Sequence, residues 1–208
     1  MLHKHSLHKQ LAAVALAACF IAPGMAQAAD FFVRAGAHNV DPKSDNGTLA
    51  GGALKADINT DWRPSLALGY YLNDNVAVEV LAALPFKHEV TLNGAGAVDF
   101  KHLPPTVSLQ YYFAPGAKVN PYLGAGVNYT WTYDEKSKGP VAGTRIGIEN
   151  SWGLAAQGGL LFKMKDNLDL FVDVRYIDID AKVKVDGANV GEVAVDPLVY
   201  GLGLSWSF

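Results

Sequence analysis

Five ionisable residues, Arg34, Glu79, Asp169, Asp173 and Arg175, stand in stretches where every second residue is apolar, and each falls on the polar parity. Carboxylates and guanidiniums so placed have three uses: general acid–base work, a charged lining that selects ions, or a set of internal salt bridges. Catalysis needs a nucleophile or base held by an orienting group. The histidines beyond residue 28, His38, His88 and His102, sit in no nucleophile motif. They lie on separate segments without the paired spacing that holds a metal. No catalytic residue, metal or cofactor is therefore expected. Gly124-Ala125-Gly126 and Gly201-Leu202-Gly203 lack the further glycine and following helix of a dinucleotide loop.

The elements that position these groups are all extended. The chain has 208 residues, half of them apolar, with 18% charged and a net charge of −3. That composition fits one domain and excludes both a disordered acidic chain and a basic nucleic-acid binder. Residues 1–28 read as a cleaved signal peptide: Lys4 and Lys9, an apolar run over 11–22, then Ala26-Gln27-Ala28. Leu16-Ala17-Ala18-Cys19 also has the pattern of a lipidation site, with the cleavage before Ala29 preferred. Cleavage there discards Cys19 and leaves 15 basic against 20 acidic residues and no disulfide.

Strand-period alternation occurs over 31–39, 62–72, 76–87, 106–113, 121–133, 151–164, 168–184 and 197–208, and helix-period patterns are absent. Short turns near 73–75, 114–120 and 165–167 alternate with long connections over 40–61, 88–105, 134–150 and 185–196. This sorting puts all short turns at one end of an even set of antiparallel strands, the layout of an eight-stranded transmembrane β-barrel of the bacterial outer membrane. Apolar rows of about nine to eleven residues match a tilted crossing of the hydrocarbon layer. Trp62, Tyr129, Trp131, Trp152 and Tyr176 end their rows on the long-loop side, and Tyr70, Tyr111, Phe113, Phe162, Trp206 and Phe208 on the turn side, as two interfacial belts. In the seventh segment the apolar parity switches after Tyr176. Either a bulge shifts the register, or the strand rises out of the membrane and encloses an apolar pocket there.

An eight-stranded interior holds only side chains or one small ligand. Enclosed charges must then pair, so Arg34, Glu79, Asp169, Asp173 and Arg175 read as a salt-bridged plug in preference to an ion filter. By parity Leu81, Ala83, Ile177, Ile179 and Val199 also point inward, with Leu81 and Arg175 where the interior turns from apolar to polar, a constriction. Pro85 falls within the third segment, and Pro104 and Pro105 precede the fourth. Each lacks the N–H for a ladder hydrogen bond, so they either bend and start strands or leave a lateral gap.

The stretches "FFVRAG" (31–36), "NVAVEVLAALPFKH" (75–88), "HLPPTVSLQYYF" (102–113), "NPYLGAGVNYT" (120–130), "SWGLAAQGG" (151–159) and "DVRYIDID" (173–180), with the terminal aromatic strand, resemble the outer-membrane protein W (OmpW) family. The resemblance implies an eight-stranded barrel whose hydrophobic channel passes small apolar compounds. Together with the pocket and prolines it suggests a solute that enters from outside, meets the plug and leaves sideways into the membrane. The alternative is an interaction or structural barrel without transport: an adhesin, a phage or bacteriocin receptor, or a membrane stabiliser. Expected partners are outer-membrane lipid and lipopolysaccharide, whose phosphates Lys182 and Lys184 can meet, a small hydrophobic solute and the barrel assembly machinery, with both termini periplasmic.

The chain ends on "VYGLGLSWSF", with Tyr200, Trp206 and Phe208 on the apolar parity. This ending resembles the signal by which barrels reach their assembly machinery, and the strand should close against residues 31–39. Phe208→Asp is therefore expected to lower the heat-modifiable, folded fraction in outer membranes several-fold, while the protein that does fold keeps its solute preference.

Overall fold

The computed structural model describes residues 30–208, so the expected leader and Cys19 lie outside the described residues. Alternating apolar residues form fifteen strands: β1 Phe31–Asp41, β2 Thr48–Leu49, β3 Leu54–Ile58, β4 Asp61–Asn73, β5 Val76–Ala83, β6 Phe86–Leu92, β7 Ala95–Leu103 and β8 Thr106–Tyr112, followed by β9 Val119–Ser137, β10 Ile146–Ile148, β11 Ser151–Lys165, β12 Leu168–Ile177, β13 Asp180–Val185, β14 Ala188–Ala194 and β15 Leu198–Ser207. One short 3-10 turn covers Gly139–Val141.

Eight strands, in the order β1, β4, β5, β8, β9, β11, β12, β15, close into an antiparallel barrel. The seam pairs β15 with β1 from Phe32↔Ser207 to Asp41↔Leu198, and Phe208 N donates to Phe31 O. The closing partner is the one expected from the sequence. The short turns between β4 and β5, β8 and β9, and β11 and β12 lie with the termini at one end, hereafter the turn end.

The side chains are distributed inside out. Leu154, Leu202 and Trp152 are 70%, 52% and 73% exposed on the outer face, whereas Arg34, Glu79 and Arg175 are at most 2% exposed within. An apolar girdle of this extent needs lipid against it. Tyr129 packs on Trp152 and Tyr111 on Phe113, ring centroids 4.7 and 5.1 Å apart, at opposite ends of the wall.

Three features depart from the sequence reading. First, the four long connections are not loops throughout. They carry β2, β3, most of β6, β7, β10 and β14, β13 falls at the end of the seventh segment, and β9 runs on to Ser137, so the wall continues as sheet above the girdle. Second, the third segment breaks at Leu84 and Pro85. Leu81 faces Thr106, but Phe86 faces His102, five residues along one chain against four along the other. The extra residue inverts the parity: Ala77, Glu79 and Leu81 point inward below it, and Phe86, His88 and Val90 above. Third, the phase change in the seventh segment is not a bulge. Asp173, Arg175, Ile177, Ile179, Ala181 and Val183 stay buried on one parity, so the outer face changes character, as the second reading held. The chain leaves the barrel at Asp178, whose N–H donates to Leu154 O, and restarts as β13 against β14 and β10.

Leu202 lies between the belts marked by Tyr176 and Trp206. Leu202→Arg should cost about 2–4 kcal/mol, the range for a cation at mid-bilayer on a barrel's lipid face, measured by urea unfolding in lipid vesicles.

Candidate functional site

The interior is layered, and the layers follow the inward residues of β12 in order: Phe171, then Asp173 and Arg175, then Ile177. At the turn end Phe32, Ala77, Tyr112, Tyr122, Leu161 and Phe171 form an aromatic floor. Above it Arg34 reaches inward from β1, Glu79 from β5, and Asp173 and Arg175 from β12. Arg34 Nη1 lies 2.6 Å from Glu79 Oε2. Arg175 Nη2 donates to Glu79 Oε1 at 2.9 Å and to Asp173 Oδ2 at 2.7 Å. Glu79 thus bridges two guanidiniums.

The phenols complete the set. Arg34 Nη2 donates to Tyr112 OH at 2.7 Å, and Tyr122 OH donates to Asp173 Oδ2 at 3.1 Å. The Arg34 guanidinium also sits 4.7 Å above the Phe32 ring and 4.9 Å above that of Tyr122, where ring quadrupoles favour a cation. Two arginines and two carboxylates, all buried, therefore balance in charge within the barrel.

Asp169, expected in this plug, lies apart from it. It is only half-buried and lines a polar cleft at the turn end with Asp30, Tyr71 and Lys163. Its place on the inward parity is right, but two residues along a strand carry it below the aromatic floor.

His38 joins the plug, which its sequence surroundings did not reveal. Nδ1 is 2.6 Å from Ser65 Oγ, and Nε2 is 3.3 Å from Asp173 Oδ1, within ion-pair range but without hydrogen-bond alignment. A Cβ at Gly201 would collide with both His38 Nε2 and Asp173 Oδ1, so a larger residue there would have to displace them. Hydroxyl, imidazole and carboxylate stand in the order of a nucleophilic relay, yet Asp173 is already held by Arg175 and Tyr122. Neither the apolar cavity described next nor the polar cleft is lined by Ser65 or His38.

Above the plug, Val40, Phe86, Ala155, Ile177, Ile179, Val195 and Val199 pack into an apolar layer that Ala83 joins at its edge. Over that layer opens a cavity of about 280 Å³. Its walls come from the upper sheets: Leu49, Leu54, Val90, Val98, Phe100 and Val183 are typical. Of the pocket residues expected from parity, Ile179 lines the cavity. Ile177 and Val199 lie in the layer beneath, Ala83 at its edge, and Leu81 is buried lower on β5 beside Thr106. Most of the missed wall residues sit in the long connections, where short alternating runs such as "HEVTL" were the available signal, while Thr130, Thr132, Ala181 and Val183 lie at the far ends of the fifth and seventh segments.

Pro85, Pro104 and Pro105 all fall between strands, at one place in the wall. Residues 82–85 and 103–105 make no ladder pairing with each other between the pairs Leu81↔Thr106 and Phe86↔His102. The proline carbonyls turn elsewhere. Buried Asn128 donates through Nδ2 to Pro104 O at 3.0 Å, Pro105 O at 3.1 Å and Thr106 Oγ1 at 3.0 Å. Tyr129 N also donates to Pro105 O. Asn128 was a polar inward residue in the sequence with no sign of this role.

A closed eight-stranded barrel with a lipid-facing girdle and a charged, packed interior defines a bacterial outer-membrane β-barrel protein. The chain belongs to the OmpW family, whose profile matches residues 27–208. It is 35% identical to outer membrane protein W of Vibrio cholerae over 93% of this chain and 95% of that one. It is 34% identical to outer membrane protein W of Escherichia coli over 96% and 100% of the two chains. The crystal structure of outer membrane protein OprG from Pseudomonas aeruginosa superposes with a TM-score of 0.77 at 34% identity, covering 88% of this chain and 97% of that one.

Glu79→Gln keeps the shape of the bridge but leaves the two arginines facing one carboxylate. The variant is expected to lose about 3 kcal/mol or more of stability, as when one member of a buried pair is removed, read from urea titration of the refolded barrel.

Proposed function

We propose that the protein takes small hydrophobic molecules from outside the cell into the apolar cavity and releases them sideways into the outer membrane. One coincidence carries the reading: an apolar chamber of about 280 Å³ stands over an occluding charged plug, and the wall beside the chamber's floor carries an unpaired stretch. An apolar solute cannot descend through four paired charges without desolvating them. Phe86 and Ala83, in the floor layer, belong to the strands that flank the unpaired segment. The floor therefore borders the way out.

In this reading both termini face the periplasm and the hairpins over the cavity face outward, where Lys182 and Lys184 meet lipopolysaccharide phosphates. Tyr200, Trp206 and Phe208 present the closing strand to the assembly machinery. Neither a cofactor nor a nucleic acid has a part.

The double variant Pro85→Val/Pro105→Val restores an N–H on each side of the gap. Uptake of an alkane or monoterpene by cells carrying it is expected to fall several-fold, with folded protein unchanged. Uptake equal to the parent's would exclude the lateral route. If the parent carries no more solute than a deletion strain, transport itself gives way to the interaction role.

A further inference from the structure

On the outer face of the upper wall, lysines are generally matched to carboxylates. Lys138 Nζ lies 2.9 Å from Glu89 and 2.7 Å from Asp99, Lys55 Nζ lies 3.5 Å from Asp57, and Lys184 is paired with Glu149. One place departs from this. Lys87 on β6 and Lys101 on β7 are direct cross-strand partners, and like charges opposite one another destabilise a sheet. Both point outward, because Phe86 and His88 on one strand, and Phe100 and His102 on the other, are buried inside.

Little within the protein offsets these charges. Lys101 Nζ is 2.6 Å from Asp134 Oδ2, but Lys136 shares that carboxylate, its Nζ 3.6 Å from Oδ1. Lys87 is exposed, and among the described residues no carboxylate comes within ion-pair range of its Nζ. Asp61 accepts from the Lys87 backbone N–H at 2.8 Å and is itself paired with Arg63. The next outward pair up the sheet, Glu89 and Asp99, is bridged by Lys138. The lower edge of the wall is therefore left with three lysines around one carboxylate.

That edge meets the girdle. Lys101 faces Tyr133 on β9, two residues and about 7 Å above Trp131 of the belt. Directly below, on the same outer face, Leu84, Val80 and Val107 are exposed apolar side chains. They flank the stretch where residues 82–85 and 103–105 make no ladder pairing with each other. A cationic edge at headgroup height thus stands over an apolar strip.

We infer that this part of the wall binds a lipopolysaccharide molecule, with a phosphate of its lipid A on Lys87 and Lys101 and an acyl chain along Leu84, Val80 and Val107. The phosphate supplies the anion that Lys87 lacks and offsets the repulsion between the facing lysines. The chain covers the apolar strip and lies across the unpaired stretch. The site is separate from Lys182 and Lys184, which stand on β13. Lipopolysaccharide as the occupant rests on the reading above that the hairpins over the cavity face outward, since it is the lipid of the outer leaflet.

For the test, the full barrel in neutral detergent is titrated with diphosphorylated lipid A, with lipid A stripped of its phosphates and with phosphatidylglycerol, and bound lipid is followed by native mass spectrometry. Diphosphorylated lipid A is expected to bind about tenfold more tightly than the stripped form, given roughly a factor of five for each lysine near a membrane surface and less for Lys101 beside Asp134. Lys87→Gln/Lys101→Gln should cut that difference to about twofold, while Lys43→Gln/Lys55→Gln, which removes two lysines already matched to acids, leaves it intact. Equal binding of the two lipid A forms by the parent would overturn the site. So would a difference that survives Lys87→Gln/Lys101→Gln, or one that falls equally in Lys43→Gln/Lys55→Gln. Phosphatidylglycerol bound as tightly as diphosphorylated lipid A would overturn the choice of lipopolysaccharide. Orientation is read separately, from protease access to the 186–187 turn in intact cells. A protected turn would overturn the outward reading, and lipopolysaccharide as the occupant with it, whatever the titration shows.

Discussion

Within lipid every backbone N–H and C=O must find its partner inside the protein, because no water is there to take one. That constraint makes β15 return to β1 and turns an open sheet into a ring. Eight strands then set the diameter, and a ring of that size has no room for a water channel. The rest of the molecule answers the question of what fills the ring and what happens above it.

What fills it is charge. Arg34, Glu79, Asp173 and Arg175 tolerate the dry interior because each has a partner within hydrogen-bond reach and the four charges cancel. Phe32 and Tyr122 take the faces of the Arg34 guanidinium. The same set lies between a polar turn end and an apolar upper compartment.

The upper compartment owes its existence to the chain's refusal to end its strands at the membrane surface. β6, β7, β13 and β14 climb past the girdle, and the apolar face they enclose is the cavity wall. Continuing the wall has a local consequence at Pro85, Pro104 and Pro105, where one extra residue shifts the register and the ladder lapses. Asn128 supplies from inside the hydrogen bonds that a neighbouring strand would have given. The lapse in the ladder is thus stabilised from inside the barrel.

Alternation along the chain is a local property, and it determined by itself the eight barrel strands, their lipid and inner faces, the short-turn end and the closing role of "VYGLGLSWSF". Period-two patterning also brought Arg34, Glu79, Asp173 and Arg175 to one interior. It said nothing about height, so Asp169 shared their parity while lying at the mouth. Only the tertiary structure decided that the long connections are sheet, that parity inverts beyond Pro85, and that His38 meets Ser65 and Asp173. Each of these depends on register between strands far apart in sequence. Short runs such as "HEVTL" become strands only when a partner covers them, and a one-residue offset between neighbours moves every side chain above it to the other face.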